Sequence, residues 1–254
     1  MMQKITVIIH TCNAEKYLEQ VLKHLVGFDE LLVCDMESTD NTLPICREYG
    51  CRIITFPKGS HTIVEPARDF AIHQATNPWI LEVDADEIVT EELRSYLYKL
   101  TESPNCPDGL YIPRKNFFMG RFMHANYPNH ILRFFHRDKT CWPPYIHSAP
   151  EINGRVEYIP RFRTELAFIH LADESVSERI RKIDVYTDNE LIRRSDKKYG
   201  MAAFLYRPLH RFCKYYFQKG GFRDGIPGII CALFNAYYQI VMLAKYHEQR
   251  RHCL

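Results

Sequence analysis

The chain has 254 residues, of which 46% are hydrophobic and 25% are charged, a composition typical of a globular protein and unlike that of a disordered or collagen-like chain. Its nine cysteines are an odd number without a Cys-x-x-Cys pair, and no charged-then-apolar leader precedes the first apolar run, so we expect a reducing cytoplasm, no disulfide framework and no zinc site. The net charge is +2, but residues 201–254 carry eight Lys and Arg against two Asp and Glu, which makes that segment +6 and leaves −4 for residues 1–200.

Short apolar runs in the first 90 residues predict strands, and the amphipathic or turn-bounded segments between them predict helices. The predicted strands are Ile5–Ile9, Leu31–Val33, Arg52–Phe56 and Trp79–Val83, and the predicted helices are Tyr17–Leu25, Ser38–Tyr49 and Pro66–Ala75. Strands that alternate with helices in this way indicate a parallel sheet with right-handed crossovers. We also predict that Asn13 caps the first helix and that Ser38 or Asp40 caps the second.

Polar side chains follow three of these predicted strands. Thr11 to Asn13 follow the first strand, Asp35 ends the second and Asp84 ends the fourth. Because the carboxyl ends of parallel strands meet at one edge of the sheet, and ligands of open α/β sheets bind at that edge, we expect these residues to lie together at a binding site.

The segment P-W-I-L-E-V-D-A-D-E-I-V, residues 78–89, ends an apolar run in three carboxylates, Asp84, Asp86 and Glu87. Asp-x-Asp places two carboxylates on the same side of a strand, where they repel unless a cation or a proton lies between them. A hard ion such as Mg²⁺ or Mn²⁺, shared with substrate phosphates, is the usual solution. The alternative is that Asp86 and Glu87 only begin the next helix, with Thr90 as its cap.

The second half of the chain is less regular. Short mixed runs separated by Pro and Gly predict further strands and loops at Leu110–Pro113, Phe117–Met119, His130–Arg137 and Arg155–Ile159. The apolar run Leu166–Ile169 ends at His170, and the helical spacing that follows predicts a long helix from about Ser175.

From Met201 onward, aromatic, apolar and basic residues predominate. One predicted helix carries Leu205, Leu209, Phe212 and Tyr216 on one face, and a second covers Ile229–Ala244 after the breaker G-G-F-R-D-G-I-P-G. The second helix is interrupted by Asn235 and Gln239 and is shorter than the span of about 20 residues that crosses a bilayer. This pattern predicts an amphipathic extension that lies on an anionic membrane surface. The alternatives are a hairpin that completes the core and a homodimer interface; no motif indicates nucleic-acid binding.

Four ordered motifs in the first 100 residues carry a resemblance to a known family. V-I-I-H-T-C-N, L-V-C-D-M-E-S-T-D-N-T, P-A-R-D-F-A-I and L-E-V-D-A-D-E resemble glycosyltransferase family 2, the inverting nucleotide-sugar transferases of the α/β GT-A fold, and most closely the small bacterial lipopolysaccharide-core β-glucosyltransferases. The resemblance implies a GT-A domain at residues 1–200, with a nucleotide-sugar half at 1–100 and an acceptor half at 101–200. The mixed, helix-flanked sheet would be followed by the helical extension at 201–254.

The resemblance also implies roles for single residues. Asp35 would bind the uracil of a UDP-sugar, Thr11, Asn13 and Glu15 would lie beside the nucleotide, Arg68 would hold the base or phosphates, Asp84 would contact the ribose or the metal, and Asp86 would coordinate Mg²⁺ or Mn²⁺. His170 resembles the C-terminal His that completes the metal site in many GT-A enzymes. The alternative is that His170 is not a metal ligand and that its side chain is held by neighbouring backbone groups.

The general base is the point where the sequence departs from the family. In Y-I-H-S-A-P-E-I-N-G-R, His147 and Gly154 keep the family spacing, but Ser148 stands in the place of its Glu. Inverting transfer needs a group that takes the proton of the acceptor hydroxyl. Glu151 or His147 could serve, and we favour Glu151.

We therefore expect an enzyme that transfers a sugar from a UDP-sugar to a saccharide or lipid-linked acceptor in bacterial lipopolysaccharide or surface polysaccharide biosynthesis. It would be cytoplasmic and peripheral on the inner face of the membrane. The alternative is a divergent, non-catalytic membrane scaffold on the same fold. A haloacid-dehalogenase phosphotransferase would carry Asp-x-Asp on its first strand, and a nucleotidyltransferase needs a Gly-rich loop where this chain has T-C-N-A-E-K.

Overall fold

The computed structural model describes residues 3–59, 64–144, 148–173, 175–193 and 198–251. The chain forms two compact units. The first unit is Met1–Lys115 with Pro128–Leu171, and the second is Asn116–Tyr127 with Ala172–Leu254. The boundary between these units differs from the predicted one at residue 201, because the long helix before that point packs with the C-terminal helices. The assignment of donor and acceptor halves stays a prediction.

The elements follow one another in this order. The strands are β1 Ile5–Thr11, β2 Glu30–Asp35, β3 Arg52–Thr55, β4 Trp79–Asp84, β5 Glu87–Ile88, β6 Gly109–Ile112, β7 Arg114–Lys115, β8 Phe117–Phe118, β9 Arg121–Phe122, β10 Ile131–His136, β11 Thr140–Cys141, β12 Glu151–Ile152, β13 Val156–Tyr158 and β14 Phe168–His170. The helices are α1 Glu15–Leu25, α2 Thr42–Glu48, α3 Glu65–Gln74, α4 Glu91–Thr101, α5 Val176–Arg193, α6 Ala202–Cys213 and α7 Gly225–Arg251.

The main sheet of the first unit has seven strands in the order β13-β6-β10-β4-β1-β2-β3. Strands β1 to β4 are parallel, as predicted, while β10 lies antiparallel between β4 and β6. The register pairs Thr11 with Asp35 and His10 with Asp84, so the predicted strand ends do meet at one edge.

Alternate residues of β1 supply the two cores on either side of this sheet. Val7 and Ile9 pack in a cluster with α1 and α4, while Ile8 packs with α3. These side chains are fully buried, and burying an aliphatic side chain of this size contributes roughly 1.5–3 kcal/mol. The two cores fix the strand register, because a shift of one residue would exchange the two faces.

The second unit is held together by a buried aspartate in the segment G-G-F-R-D-G-I-P-G. Asp224 accepts hydrogen bonds from the backbone N–H groups of His124 and Ala125, at 2.8 and 3.1 Å, and lies 2.8 Å from the His124 Nδ1. It thereby joins the loop after the β8-β9 hairpin to the start of α7. Nearby, the Arg179 guanidinium of α5 lies 4.2 Å from the centre of the Phe118 ring.

Helix α7 is longer than the predicted segment Ile229–Ala244. Gly221–Arg250 has the length and apolar composition to cross a membrane, so the prediction that this segment is too short to do so was wrong. The segment G-G-F-R-D-G-I-P-G was predicted to precede this helix, but α7 already begins within it, at Gly225.

Gly228 lies where α7 touches the turn before it. A Cβ at this position would lie 1.9 Å from the backbone oxygen of Gly221, whereas a Cβ at Gly200 meets nothing within 4 Å. We expect Gly228→Ala to lower the free energy of unfolding by about 1–3 kcal/mol, the usual range for overpacking. Gly200→Ala should change it by less than about 0.5 kcal/mol. Urea unfolding of both variants measures the difference, and equal stability would contradict the close approach.

Candidate functional site

The first cluster at the strand edge surrounds Asp35, which is almost completely buried. Its Oδ1 accepts hydrogen bonds from the Thr11 hydroxyl at 2.7 Å and from the Ser38 hydroxyl at 2.5 Å, and its Oδ2 accepts from the Ser38 N–H at 2.9 Å. These bonds hold the turn after β2, in which Glu37 has a φ of +60°. Asp35 and Thr11, predicted to lie together, are in direct contact.

The loop from Ser38 to Thr42 is bonded to the start of α1. The prediction that Asn13 caps α1 was wrong: Asn13 has a φ of +53°, and its Oδ1 accepts from the Thr39 N–H at 2.8 Å. The N–H groups of Ala14 and Glu15 donate instead to Thr42 and Asp40, at 2.8 and 3.2 Å.

Two carboxylates, Asp40 of the loop and Glu15 of α1, connect the loop to the helices. Asp40 also accepts from the Thr42 N–H at 3.0 Å, so it binds the first turn of α2 as well as that of α1. Glu15 accepts from the backbone N–H and side-chain amide of Asn41, at 3.0 and 2.8 Å. Asn13 and Glu15, two of the residues predicted to lie beside the nucleotide, are therefore hydrogen-bonded to the same loop.

A second cluster, the buried ion network, lies beneath the end of β4. It consists of the carboxylates Glu82, Asp84 and Glu87 and the guanidinium groups of Arg68, Arg114 and Arg133. Asp84 Oδ1 accepts from Arg68 at 3.1 Å and its Oδ2 from Arg133 at 2.7 Å. Arg68 also donates to Glu82, and Arg114 donates to Glu87 at 3.1 Å.

The ion network shifts the pKa values of its carboxyl groups in different directions. Burial raises the pKa of Asp84, but the charges of Arg133 and Arg68 outweigh it and hold that pKa below its ordinary value. Burial and the adjacent charge of Asp84 raise the pKa of Glu87. Asp84 is therefore a fixed negative charge, and Glu87 is the carboxyl group that most readily retains a proton.

Arg68 is also held on its aromatic side. Its guanidinium lies 4.7 Å from the centre of the Trp142 ring. The Trp142 indole N–H donates to the Ser148 hydroxyl at 3.1 Å, and that hydroxyl donates to the Pro143 carbonyl at 2.6 Å. Ser148, the residue that departs from the family pattern, thus supports the tryptophan beneath Arg68.

Asp86 and His170 come together because β5 pairs with β14. The Asp86 Oδ2 lies 3.2 Å from the His170 Nε2, and the Leu171 N–H donates to the Asp86 carbonyl at 2.8 Å. Glu87 is a buried strand residue, so the alternative in which it begins a helix was wrong. The alternative was right about Thr90, which caps α4 by accepting from the Leu93 N–H at 3.2 Å.

Of the three predicted metal ligands, the structure places two together. Asp86 and His170 are neighbours, while both oxygens of Asp84 bond to arginines. Among the described residues, no group of three His, Cys, Asp or Glu side chains is arranged to hold a metal ion. A metal at this edge would need further ligands from substrate oxygens or water.

The structure describes only one of the two candidate bases. Glu151 is exposed on β12, where it pairs with Cys141 of β11. His147 lies outside the described residues. Both assignments stay predictions.

Sequence reasoning missed Glu82, Arg114 and Arg133. Two of them carried a signal, because Glu82 interrupts the apolar strand W-I-L-E-V-D and Arg133 interrupts I-L-R-F-F-H. A charged residue inside a buried strand requires a partner of opposite charge. The identity of that partner depends on strand order, which the sequence did not indicate.

Comparison with known proteins identifies the family. Residues 6–152, more than half of the chain, match the sequence pattern of the family described as Glycosyl transferase family 2. The chain belongs to glycosyl transferase family 2. Its similar relatives include the lipopolysaccharide core biosynthesis glycosyltransferase LpsC of Rhizobium meliloti, 25% identical over 98% of this chain and 93% of the relative. An uncharacterized glycosyltransferase of Rickettsia typhi is 24% identical over 97% of this chain and 88% of its own.

A solved structure confirms the predicted fold of this family 2 protein. The mannosyltransferase PcManGT from Pyrobaculum calidifontis, in complex with GDP-Man and Mn²⁺, has a TM-score of 0.58 at 14% identity and covers 96% of this chain and 87% of that one. The mixed sheet with flanking helices is the GT-A fold.

The ion network makes a prediction about stability. Arg133→Met removes the closest partner of Asp84, which is 28% exposed, so we expect a cost somewhat below the roughly 3–5 kcal/mol of breaking a fully buried pair. Lys23→Met is the matched control, because Lys23 pairs with Glu19 on the exposed face of α1 and such pairs contribute about 0–1 kcal/mol. Urea unfolding should separate the two variants. Similar losses would show that the network does not stabilise the fold.

Proposed function

We propose that this family 2 glycosyltransferase transfers a sugar from a UDP-sugar to an acceptor hydroxyl with inversion at the sugar carbon. One observation carries the proposal: Asp35 and Asp84 end the two parallel strands that flank β1, Arg68 bonds to Asp84, and Asp86 of the Asp86–His170 pair follows Asp84 by two residues. A base-recognising carboxylate, a guanidinium and a candidate metal pair are the groups that a nucleoside diphosphate requires.

The bonding of Asp35 favours uracil over guanine. An ionised carboxylate has about four acceptor positions, and Thr11 and Ser38 use three of them. The position left on Oδ2 matches the single N3–H of uracil, whereas guanine presents two adjacent N–H donors that need both oxygens. The structurally similar mannosyltransferase contains GDP-Man, so GDP is the proper competitor in a binding experiment.

The Asp86–His170 pair fits a divalent cation. A carboxylate oxygen and an imidazole nitrogen 3.2 Å apart, both partly exposed, are a donor set that Mn²⁺ accepts and Mg²⁺ tolerates. When bound, the ion would offset the negative charge of the leaving diphosphate. Asp84 would act through the arginines: by fixing Arg68, it keeps one guanidinium directed along the edge where the phosphates would lie.

The acceptor side of the reaction needs a base, and we assign that role to Glu151. It is an exposed carboxylate, so it is accessible to a large acceptor, and it follows Ser148 by three residues. It would take the hydroxyl proton while the sugar carbon is attacked from the face opposite the phosphate.

We infer that the acceptor is a saccharide or a lipid-linked saccharide of bacterial lipopolysaccharide or surface polysaccharide. The support is the similarity to LpsC, which is named for lipopolysaccharide core biosynthesis. Such an acceptor would be presented at the inner face of the cytoplasmic membrane, where we place the protein as a peripheral enzyme.

A second candidate function is a non-catalytic member of the fold. Ser148 favours it, because the family Glu is replaced by a hydroxyl that supports Trp142 instead of acting as a base. Turnover of any UDP-sugar would exclude this alternative.

The metal site predicts the effect of one carboxylate on donor binding. Asp86→Ala should weaken UDP binding in Mn²⁺ by at least tenfold, about 1.4 kcal/mol, because it removes half of the protein's donor set. Asp138→Ala, which removes an exposed aspartate paired with Arg137, is the control and should bind normally. Titration calorimetry with UDP and GDP measures both. Unchanged UDP binding in EDTA would show that UDP binding needs no metal ion, and unchanged binding by Asp86→Ala in Mn²⁺ would show that Asp86 is not a ligand.

The base assignment predicts a loss confined to turnover. Glu151→Gln should lower kcat by roughly 10² while UDP affinity stays the same, since the group acts on the acceptor and not on the donor. Glu157→Gln, an exposed glutamate on β13, is the control. A larger loss in His147→Ala would assign the base to His147, and full activity of both variants would point to a different carboxylate.

A further inference from the structure

Helix α7 leaves a continuous apolar stripe exposed. We call it the outer stripe: Ile226, Ile229, Leu233, Tyr237 and Ile240, each at least 40% exposed. The intervals of three, four, four and three residues place all five side chains on one face of the helix. A face this long and apolar is unusual on the surface of a folded domain and marks an interaction site.

The opposite face of α7 is packed within the second unit. Cys231, Ala232, Met242 and Leu243 are fully buried there. Lys245 pairs with Asp184 and Asp188 of α5, each at 2.8 Å, and buried Gln239 accepts from Arg207 of α6 at 3.0 Å. The helix thus has one face that packs within the second unit and one apolar face that is exposed.

Helix α6 and the link to α7 add further exposed apolar side chains. Leu205 and Leu209 are 79% and 64% exposed, and Met201, one turn earlier, is 80% exposed. Phe217 and Phe222 in the link are also exposed. Exposed apolar side chains are therefore present on α6, on the link and on α7 as far as Ile240.

The charges of α6, the link and α7 are mostly positive. Residues 201–254 have eight Lys and Arg residues against two carboxylates, of which Asp224 is buried and Glu248 is exposed near the end of α7. Asp184 and Asp188 of α5 are also exposed, and both pair with Lys245. Three of the basic residues are exposed in the link between α6 and α7, namely Lys214, Lys219 and Arg223. A partner for this surface needs an apolar interior and a negatively charged boundary.

We propose that the outer stripe of α7, with the exposed residues of α6, lies flat in the interface of an anionic lipid bilayer. A second copy of the chain fits less well, because a symmetric dimer through this surface would bring Lys214, Lys219 and Arg223 of both copies close together. A transmembrane orientation would require the Lys245 and Gln239 contacts of α7 to enter hydrocarbon. The proposal does not depend on the identity of the sugar donor.

The test is flotation of the full-length chain with vesicles of phosphatidylglycerol and phosphatidylethanolamine, or of phosphatidylcholine alone. We expect binding to the anionic vesicles that falls with salt, and little binding to phosphatidylcholine. Leu233→Glu with Ile240→Glu should lower binding at least tenfold. Lys219→Gln with Arg223→Gln should lower it about 25-fold, since each basic residue near the surface contributes about fivefold.

Phe162→Glu is the matched control, because Phe162 is an apolar residue of the first unit that is 75% exposed. It should bind vesicles like the wild type. Circular dichroism checks that each variant is folded. Equal vesicle binding by Leu233→Glu with Ile240→Glu would overturn the proposal. So would resistance of the wild type to alkaline carbonate extraction, which indicates a span, or a dimer that the same substitutions convert to monomer.

Discussion

Burial of charge at the end of β4 is the constraint on which the rest of the first unit depends. Glu82 and Glu87 are removed from water and Asp84 is partly buried, and a buried ion is tolerated only when its partners are fixed around it. The partners come from three separate elements: Arg68 from α3, Arg114 from β7 and Arg133 from β10. Each of these elements must therefore occupy one position relative to β4, which makes the ionic cluster a determinant of topology as well as of the binding edge.

The carboxylates at this edge differ in their exposure to solvent. Glu82 and Glu87 are fully buried, whereas Asp84, Asp86 and His170 are partly exposed. An enzyme that must neutralise a leaving diphosphate benefits from this division, because preorganised groups do not have to be reoriented when charge develops. Asp35 is likewise fixed in position, by the Thr11 hydroxyl and the Ser38 N–H.

Local pattern was sufficient to predict the four parallel strands and the meeting of Thr11, Asp35 and Asp84 at one edge. Alternation of strand and helix determines that result with few alternatives. It was not sufficient for β10, because an apolar run such as I-L-R-F-F-H contains no information about which strand it joins or in which direction. The predicted cap of α1 was wrong for a related reason. The N–H groups at the start of α1 donate to side chains about 25 residues away in a loop, whereas cap rules consider only adjacent residues.

The pairing of Asp84 with Arg133 has a consequence for how the chain is made. Asp84 is synthesised 49 residues before Arg133, its closest arginine partner, and Glu87 precedes its partner Arg114 by 27 residues. A nascent chain that has completed β1 to β4 already contains Arg68, which pairs with Glu82 and Asp84, but it lacks Arg114 and Arg133. The ion network is therefore complete only after β10 has been synthesised.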